Sequence, residues 1–382
     1  MSEKAFRPFP SGAAALAAAL LAAASSAHAG APRYHLTRID IPGAQGVYAN
    51  DINDAGQVVG YYIDENYVQR PFLWDASGVH ALALPTGADP DTEVDGYASA
   101  INDAGQIVGY GMVWDESAPA LLWNAADPSA YQLLSDDPTL ALMPYDISDN
   151  GIVVGLKSGY QTGEAFHGFV WTADGGVVDY GTTDTADSSI NASWNAVNDA
   201  GQLVGSWNYQ FSAAHASVGT VGTPEMRPLS AASDAVESGA TAINAAGVRV
   251  GYMDVDGSGD AVPVMFGDEG SVQAIPGATL GLAAGQALGV NDDGVVVGRA
   301  DDFSTLEFKA FVYVGGQSYD LYAQVDDSAG FDYFLTAKAV NASGAIVGTA
   351  RYGDLQVGAY LATPIADDAI FSDGFDPAAA AR

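Results

Sequence analysis

Between residues 43 and 362 the apolar positions fall in short β-branched and aromatic runs, separated by polar turns that carry glycine. The clearest unit is Ile52-Asn53-Asp54-Ala55-Gly56-Gln57-Val58-Val59-Gly60. It returns as Ile101–Gly109, Ile147–Gly155 and Val197–Gly205, and weaker copies start at Ile243, Val290 and Val340. The seven turn glycines stand at 56, 105, 151, 201, 247, 294 and 344, spaced by 46 to 50 residues. An even period over seven copies marks a repeat architecture.

The unit has a mechanical reading. Its apolar residue ends one strand, and the Asn is expected to form an Asx-turn by accepting a backbone N–H two residues on. The Gly takes the left-handed conformation that closes a hairpin with a bulge, and the β-branched run begins the next strand. The recurring Asn and Gly therefore read as structural residues, not as a polar active site. A third strand follows, as in Pro71–Trp74, Ala120–Trp123, Gly168–Trp171 and Ala310–Tyr313. A fourth comes after a short turn, near 79–84, 131–135, 176–180, 226–230, 271–275 and 318–323. Four short strands per repeat, seven times over, predict an all-β fold, a seven-bladed β-propeller. A parallel β-helix fits less well, because its coils are about half this length. The seventh repeat ends at Val357–Leu361 without a fourth strand, and Tyr34–Pro42 supplies one from the N-terminal side. Pairing the two ends removes an open edge. The expected organisation is one propeller domain over 30–364, between a leader (1–29) and a tail (365–382).

The leader reads as a secretory signal peptide: Lys4 and Arg7, then the apolar run Ala13–Ala24, then Ala27-His28-Ala29 as cleavage site. About a dozen apolar residues are too few for a membrane span. The expected location is extracellular, with the periplasm or cell surface as alternatives. The tail contains Ile370-Phe371-Ser372-Asp373-Gly374-Phe375-Asp376. This resembles the short acidic Ile-Phe-x-Asp-Gly-Phe ends of many secreted proteins of some gammaproteobacteria. It reads either as a sorting signal or as a tail whose two Phe dock on the domain.

Composition then narrows the partners. Of 382 residues, 13 are Lys or Arg and 47 Asp or Glu, for a net charge of −34. Such a surface repels the phosphates of nucleic acid and of anionic membranes. The absence of Cys removes disulfides, thiolate metal sites and Cys nucleophiles together. A hydrophobic share of 48% is ample for a packed core.

The Ile-Asn-Asp-x-Gly-Gln-Val-Val-Gly units, with Arg70–Trp74 and His167–Trp171 as ragged copies of a His-Ala-Phe-Leu-Trp segment, resemble the HAF-repeat family of extracellular bacterial repeat proteins. The resemblance spans nearly all of 43–362. It implies a secreted repeat protein and carries no catalytic motif to transfer.

Candidate chemistry is sparse. His35, His80, His167 and His215 belong to outer or third strands of different repeats, so structural roles are expected. There is no Gly-x-Ser-x-Gly elbow, His-Glu-x-x-His or phosphate loop. Trp74-Asp75 and Trp114-Asp115 read as core Trp followed by turn Asp. Asp254-Val255-Asp256-Gly257-Ser258-Gly259-Asp260 sets oxygens at alternate positions, as Ca²⁺ requires. Asp254, Asp256, Ser258 and Asp260 are thus the candidate metal ligands, with a solvated acidic hairpin as the other reading. Met265 stands where an EF-hand would need Glu. Two residues before each repeat unit lie Asn50, Ser99, Tyr145, Asn195, Thr241, Leu288 and Lys338, a mostly polar column. All but Leu288 are candidate ligand-binding residues at a channel mouth, for a neutral or cationic ligand; a merely hydrated channel is the alternative. Longer connections are expected on that face at 85–98, 136–145, 181–194, 231–240, 276–287 and 324–336.

The function expected is that of a secreted, monomeric binding module for an extracellular glycan, peptide or surface protein. A hydrolase or lyase using channel-mouth acids, and a structural envelope protein, are the alternatives.

Overall fold

In the computed structural model the chain is described from residue 31 to 365, except for 87–93, 113–117, 160–165, 181–189, 210–211, 268–270, 277–279, 281–283, 303–306 and 354. The expected leader, the Ile370–Asp376 motif and Trp114-Asp115 lie outside the described residues. Among the described residues there are 28 strands, two 3-10 turns and no α-helix. They form five separate four-stranded sheets and one eight-stranded sheet. The architecture is all-β and propeller-like.

Each repeat folds as a four-stranded antiparallel meander. The second, for example, runs β6 (Asp95–Ile101), β7 (Gln106–Met112), β8 (Ala120–Asn124) and β9 (Asp127–Leu133). The eight-stranded sheet joins the first repeat to the seventh. Its first half is β2 (Gly46–Ile52), β3 (Val58–Ile63), β4 (Gln69–Asp75) and β5 (Gly78–Ala81). Its other half is β26 (Tyr333–Val340), β27 (Ile346–Tyr352), β28 (Gln356–Pro364) and β1 (Tyr34–Ile39). A single parallel bridge, Gly46 to Val357, connects the halves. The N-terminal strand β1 pairs antiparallel with β28 over Tyr34–Ile39, the position expected for it. Tyr34 and Ile39 are fully buried there.

The core lies between neighbouring sheets. Val59 and Leu73 of the first repeat pack on Ala98, Ile107, Leu121 and Trp123 of the second. The second strand of every repeat contacts the first strand of the next, and β27 contacts β2. The sheets therefore close into a ring.

The turns hold the ring together. The turn glycines take positive φ, from +70° to +82°. The Asn does more than the sequence suggested. Its Oδ1 accepts the N–H four residues on, as from Gln57 at 2.9 Å, instead of two residues on. Its Nδ2 donates to the carbonyl of the next repeat's equivalent residue. The chain of bonds runs from Asn53 to Asn102 and from Asn102 to Ser148. It resumes at Asn198, passes through Asn244, Asn291 and Asn341, and returns to Asn53. Ser148 interrupts it; there Asn150 reaches across instead and donates to the Asp199 carbonyl at 2.9 Å.

The fourth strands fall within a few residues of expectation. The longer connections do not: the intervals assigned to them contain the starts of the innermost strands, which begin at Asp95, Leu140, Ile190, Glu237, Ala284 and Tyr333.

Candidate functional site

Every innermost strand carries an irregularity at the same place. The register shifts between Ala49 and Asp51, Ala98 and Ala100, Pro144 and Asp146, and Trp194 and Ala196. It shifts again between Ala240 and Ala242, Ala287 and Gly289, and Ala337 and Ala339. The skipped residues are Asn50, Ser99, Tyr145, Asn195, Thr241, Leu288 and Lys338. Each is the extra residue of a β-bulge, a device that re-aims a side chain. The seven bulges turn the whole predicted column toward the axis of the ring.

Opposite each bulge stands the last glycine of the repeat unit: Gly60, Gly109, Gly155, Gly205, Gly251, Gly298 or Gly348. A Cβ at any of them would lie 1.9–2.1 Å from a carbonyl oxygen of the bulged strand. The bulge and the glycine are one feature.

The seven column residues, with Tyr61, Tyr97 and Tyr110, line one cavity of about 350 Å³. Below it a second space of about 210 Å³ shares the column and adds Asp51 and Asp146. A third of about 260 Å³ reaches the ring of Asn turns. Shared lining makes the three one axial channel.

Four polar residues of the column show two kinds of behaviour. Asn50 Nδ2 donates to the Ala98 carbonyl at 2.8 Å, Asn195 Nδ2 to Ala240 at 2.9 Å, and Thr241 Oγ1 to Ala287 at 2.7 Å. These three tie neighbouring repeats together. Lys338 lies deep within the ring but faces the lumen and keeps solvent access there. Among the described residues no hydrogen bond or ion pair holds its ammonium. Burial lowers its pKa and Arg299 lowers it further, while Asp51 acts in the opposite sense.

Asp51 and Asp146 were not singled out by the sequence. Both follow a bulge residue, at a position that is otherwise Ala or Gly. Asp51 accepts N–H groups from Ile52 and Ile101, each at 2.9 Å. Asp146 accepts from Ile147 at 2.9 Å and from Val197 at 2.8 Å. Burial outweighs these bonds and pushes Asp51 up to about 7 and Asp146 to about 6. The tyrosines were missed as well. Tyr48 stacks on Tyr61 with centroids 4.7 Å apart, Tyr61 tilts against Tyr97 at 4.8 Å, and Tyr97 stacks on Tyr110 at 4.8 Å. Burial raises the Tyr61 phenol to about 12 and also raises those of Tyr97, Tyr110 and Tyr145, so all stay neutral. The available signal was the pairing of Tyr48 and Tyr97 before the unit with Tyr61 and Tyr110 directly after it.

The remaining candidates do not join this site. His35, His80 and His167 each pair with a different carboxylate, Asp326, Asp75 and Asp179, and His215 packs against Trp207. Asp75 ends β4 just before a turn, where it accepts from the Ser77 N–H at 2.8 Å. In the Asp254–Asp260 loop the candidate oxygens bond the hairpin's own backbone. The Asp254 carboxylate is buried and takes N–H groups from Asp256, Gly257 and Gly259. Asp256 accepts from Ser258, and Ser258 Oγ from Asp260. The oxygens satisfy the hairpin's own backbone, and among the described residues no group of three or more His, Asp or Glu is arranged to hold a metal.

No family model matches the chain, and no curated protein matches it. Solved structures do. A prolyl endopeptidase superposes with a TM-score of 0.55 at 10% identity, over 87% of this chain and 50% of its own. Pyrococcus horikoshii acylaminoacyl peptidase gives 0.53 at 11%, over 86% and 54%. TolB from Acinetobacter baumannii gives 0.44 at 9%, over 80% and 63%. The chain thus spans about half the length of the two peptidases and 63% of TolB. At such identities the likeness concerns the fold. Among the described residues no helix is long and apolar enough to cross a membrane.

Proposed function

We propose that the chain is a secreted seven-bladed propeller of the HAF-repeat type that binds an extracellular ligand in its axial cavity. The count of seven takes the eight-stranded sheet as two blades joined by one parallel bridge. One observation carries the binding reading: seven bulges, one per repeat, turn seven side chains into a single cavity of about 350 Å³. That volume lies in the range of small-ligand sites, and a lining of aromatic side chains with a few polar groups has the usual character of such sites. A glycan suits it best, because tyrosine rings pack against sugar faces while amides and hydroxyls meet sugar hydroxyls.

Binding is favoured over hydrolysis by what the channel acids do. Asp51 and Asp146 each spend both oxygens on backbone N–H groups of two repeats. The test is a glycan and peptide array probed with the purified protein, followed by turnover assays on every hit. Tyr145→Ala is expected to weaken binding at least tenfold with the melting temperature retained, and no hit is expected to be consumed. Turnover of a hit, or binding indifferent to Tyr145→Ala, would sink the proposal.

A further inference from the structure

The acidity of the whole chain points to a neutral or cationic ligand, but the charges in the cavity are distributed differently. Excluding Lys4 in the leader, the chain has three lysines. Lys157 is held by Asp179 at 2.7 Å, and Lys309 by Glu307 at 3.3 Å and the Leu280 carbonyl at 3.0 Å. Lys338 alone has no such partner among the described residues, and it lines the cavity. In a chain with 47 carboxylates, an unpaired ammonium at the one place where seven bulges converge calls for a partner from outside.

We infer that the ligand is an acidic saccharide, bound with a uronate carboxylate on Lys338 and its sugar rings against the tyrosines of the first three repeats. This rests on the binding reading above and names the ligand class. Tyr61, Tyr110 and Tyr145 line one side of the cavity with neutral aromatic rings. Lys338 belongs to the seventh repeat, which closes against the first, so the cation stands at the end of the aromatic arc. Asp51 is the carboxylate that acts on Lys338. Its oxygens are already bonded to Ile52 and Ile101, so it offers no competing salt bridge of good geometry. Arg299 adds positive charge on the same side; its own ion pair is with Asp301, at 3.2 Å. A carboxylate arriving at Lys338 in this half-desolvated site gains a charge-assisted bond that a hydroxyl cannot give. The net charge of −34 acts mainly at longer range, where salt screens it within about 8 Å under physiological conditions.

Isothermal titration calorimetry with trigalacturonate and with neutral galactotriose provides the test. The acidic trisaccharide is expected to bind at least tenfold more tightly. Lys338→Met should abolish that preference, Lys338→Arg should restore most of it, and galactotriose should be indifferent to both. Labelling of the unsubstituted protein with an amine reagent, read by mass spectrometry, does not depend on how a variant folds. Trigalacturonate should protect Lys338 while leaving Lys157 and Lys309 unchanged. Equal affinity for the two sugars, both weakened by Tyr145→Ala, would overturn the carboxylate inference and leave the cavity reading standing. Capture only of peptides through their terminal carboxylate would overturn the saccharide. If Tyr145→Ala alters neither sugar nor any array member, both readings fall together.

Discussion

Gly251 shows how much one side chain position decides. It faces the bulge at Thr241, pairs with Ala240, and has no positive φ to explain its identity. The reason is space: a Cβ there would lie 1.9 Å from the Gly239 carbonyl oxygen and 3.0 Å from the Ala240 Cα. Backbone cannot yield as a flexible side chain would, so Gly251→Ala must push the innermost strand off its bulge. Overpacking of this kind costs roughly 2–3 kcal/mol. The expected result is a melting temperature several degrees lower, together with weaker ligand binding because Thr241 turns away from the cavity. Gly259→Ala is the control. It takes positive φ in an exposed hairpin with nothing within 4 Å of the added carbon, so it costs only local strain and leaves binding intact. Equal losses from the two would refute the role given to the bulge.

At the level of the turn, the repeat unit is a joint between sheets as much as a hairpin. Six of seven turns carry Asn at the linking position, and each Asn amide bonds the next repeat's carbonyl at 2.9–3.1 Å. Ser148 is the exception, too short to reach the Asn198 carbonyl. Ser148→Asn supplies the missing amide, and its Oδ1 can take over the Ile152 N–H that Ser148 Oγ accepts at 3.1 Å. One added buried hydrogen bond is worth about 1 kcal/mol. Calorimetry should show a melting temperature higher by roughly 2 °C; a decrease would mean that the Asn150 bridge to Asp199 is the better joint. The strand order and the turns were legible in the sequence because the period exposes them. The column was legible too, since Asn, Ser, Thr and Lys interrupt apolar strands. What turns it inward was not. Strict alternation along a strand allows no two consecutive residues on one face, so Asp51 and Asp146, the second residue of their bulges, were passed over. The Asn role was only half visible, because its second partner is 46 to 50 residues away, and 288 for Asn341 across the seam. The backbone bonds of the Asp254 loop were hidden for a related reason: alternate carboxylates suit a cation and a tight backbone turn equally well, and in this hairpin they accept the loop's N–H groups.

For the molecule as a whole, the decisive contact is the one that joins its two ends. A chain without Cys has no covalent clasp, and the ring is held at its seam by β1 lying along β28. The pairing is more than edge protection. Tyr34 and Ile39 are fully buried, Leu36 nearly so, and the Arg38 guanidinium sits 3.9 Å from the centroid of the Tyr352 ring. Burying one such apolar side chain is worth roughly 1.5–3 kcal/mol, so losing three is severe for a domain of ordinary stability. The Tyr34 carbonyl also accepts the Asp326 N–H at 2.9 Å, tying the seam to the preceding connection. A chain starting after Ile41 should therefore lose cooperative unfolding or melt far lower than one starting at Ala31. It should also self-associate, because β28 would present an unpaired edge above an open core. Adding back a peptide of residues 31–41 should reverse the added association in light scattering and raise the melting temperature, since the strand pairs over a fixed register from Tyr34 with Pro364 to Ile39 with Ala359. A truncated chain that associates and melts like its parent would show that the single Gly46–Val357 bridge and the ring of Asn amides suffice to close the seam.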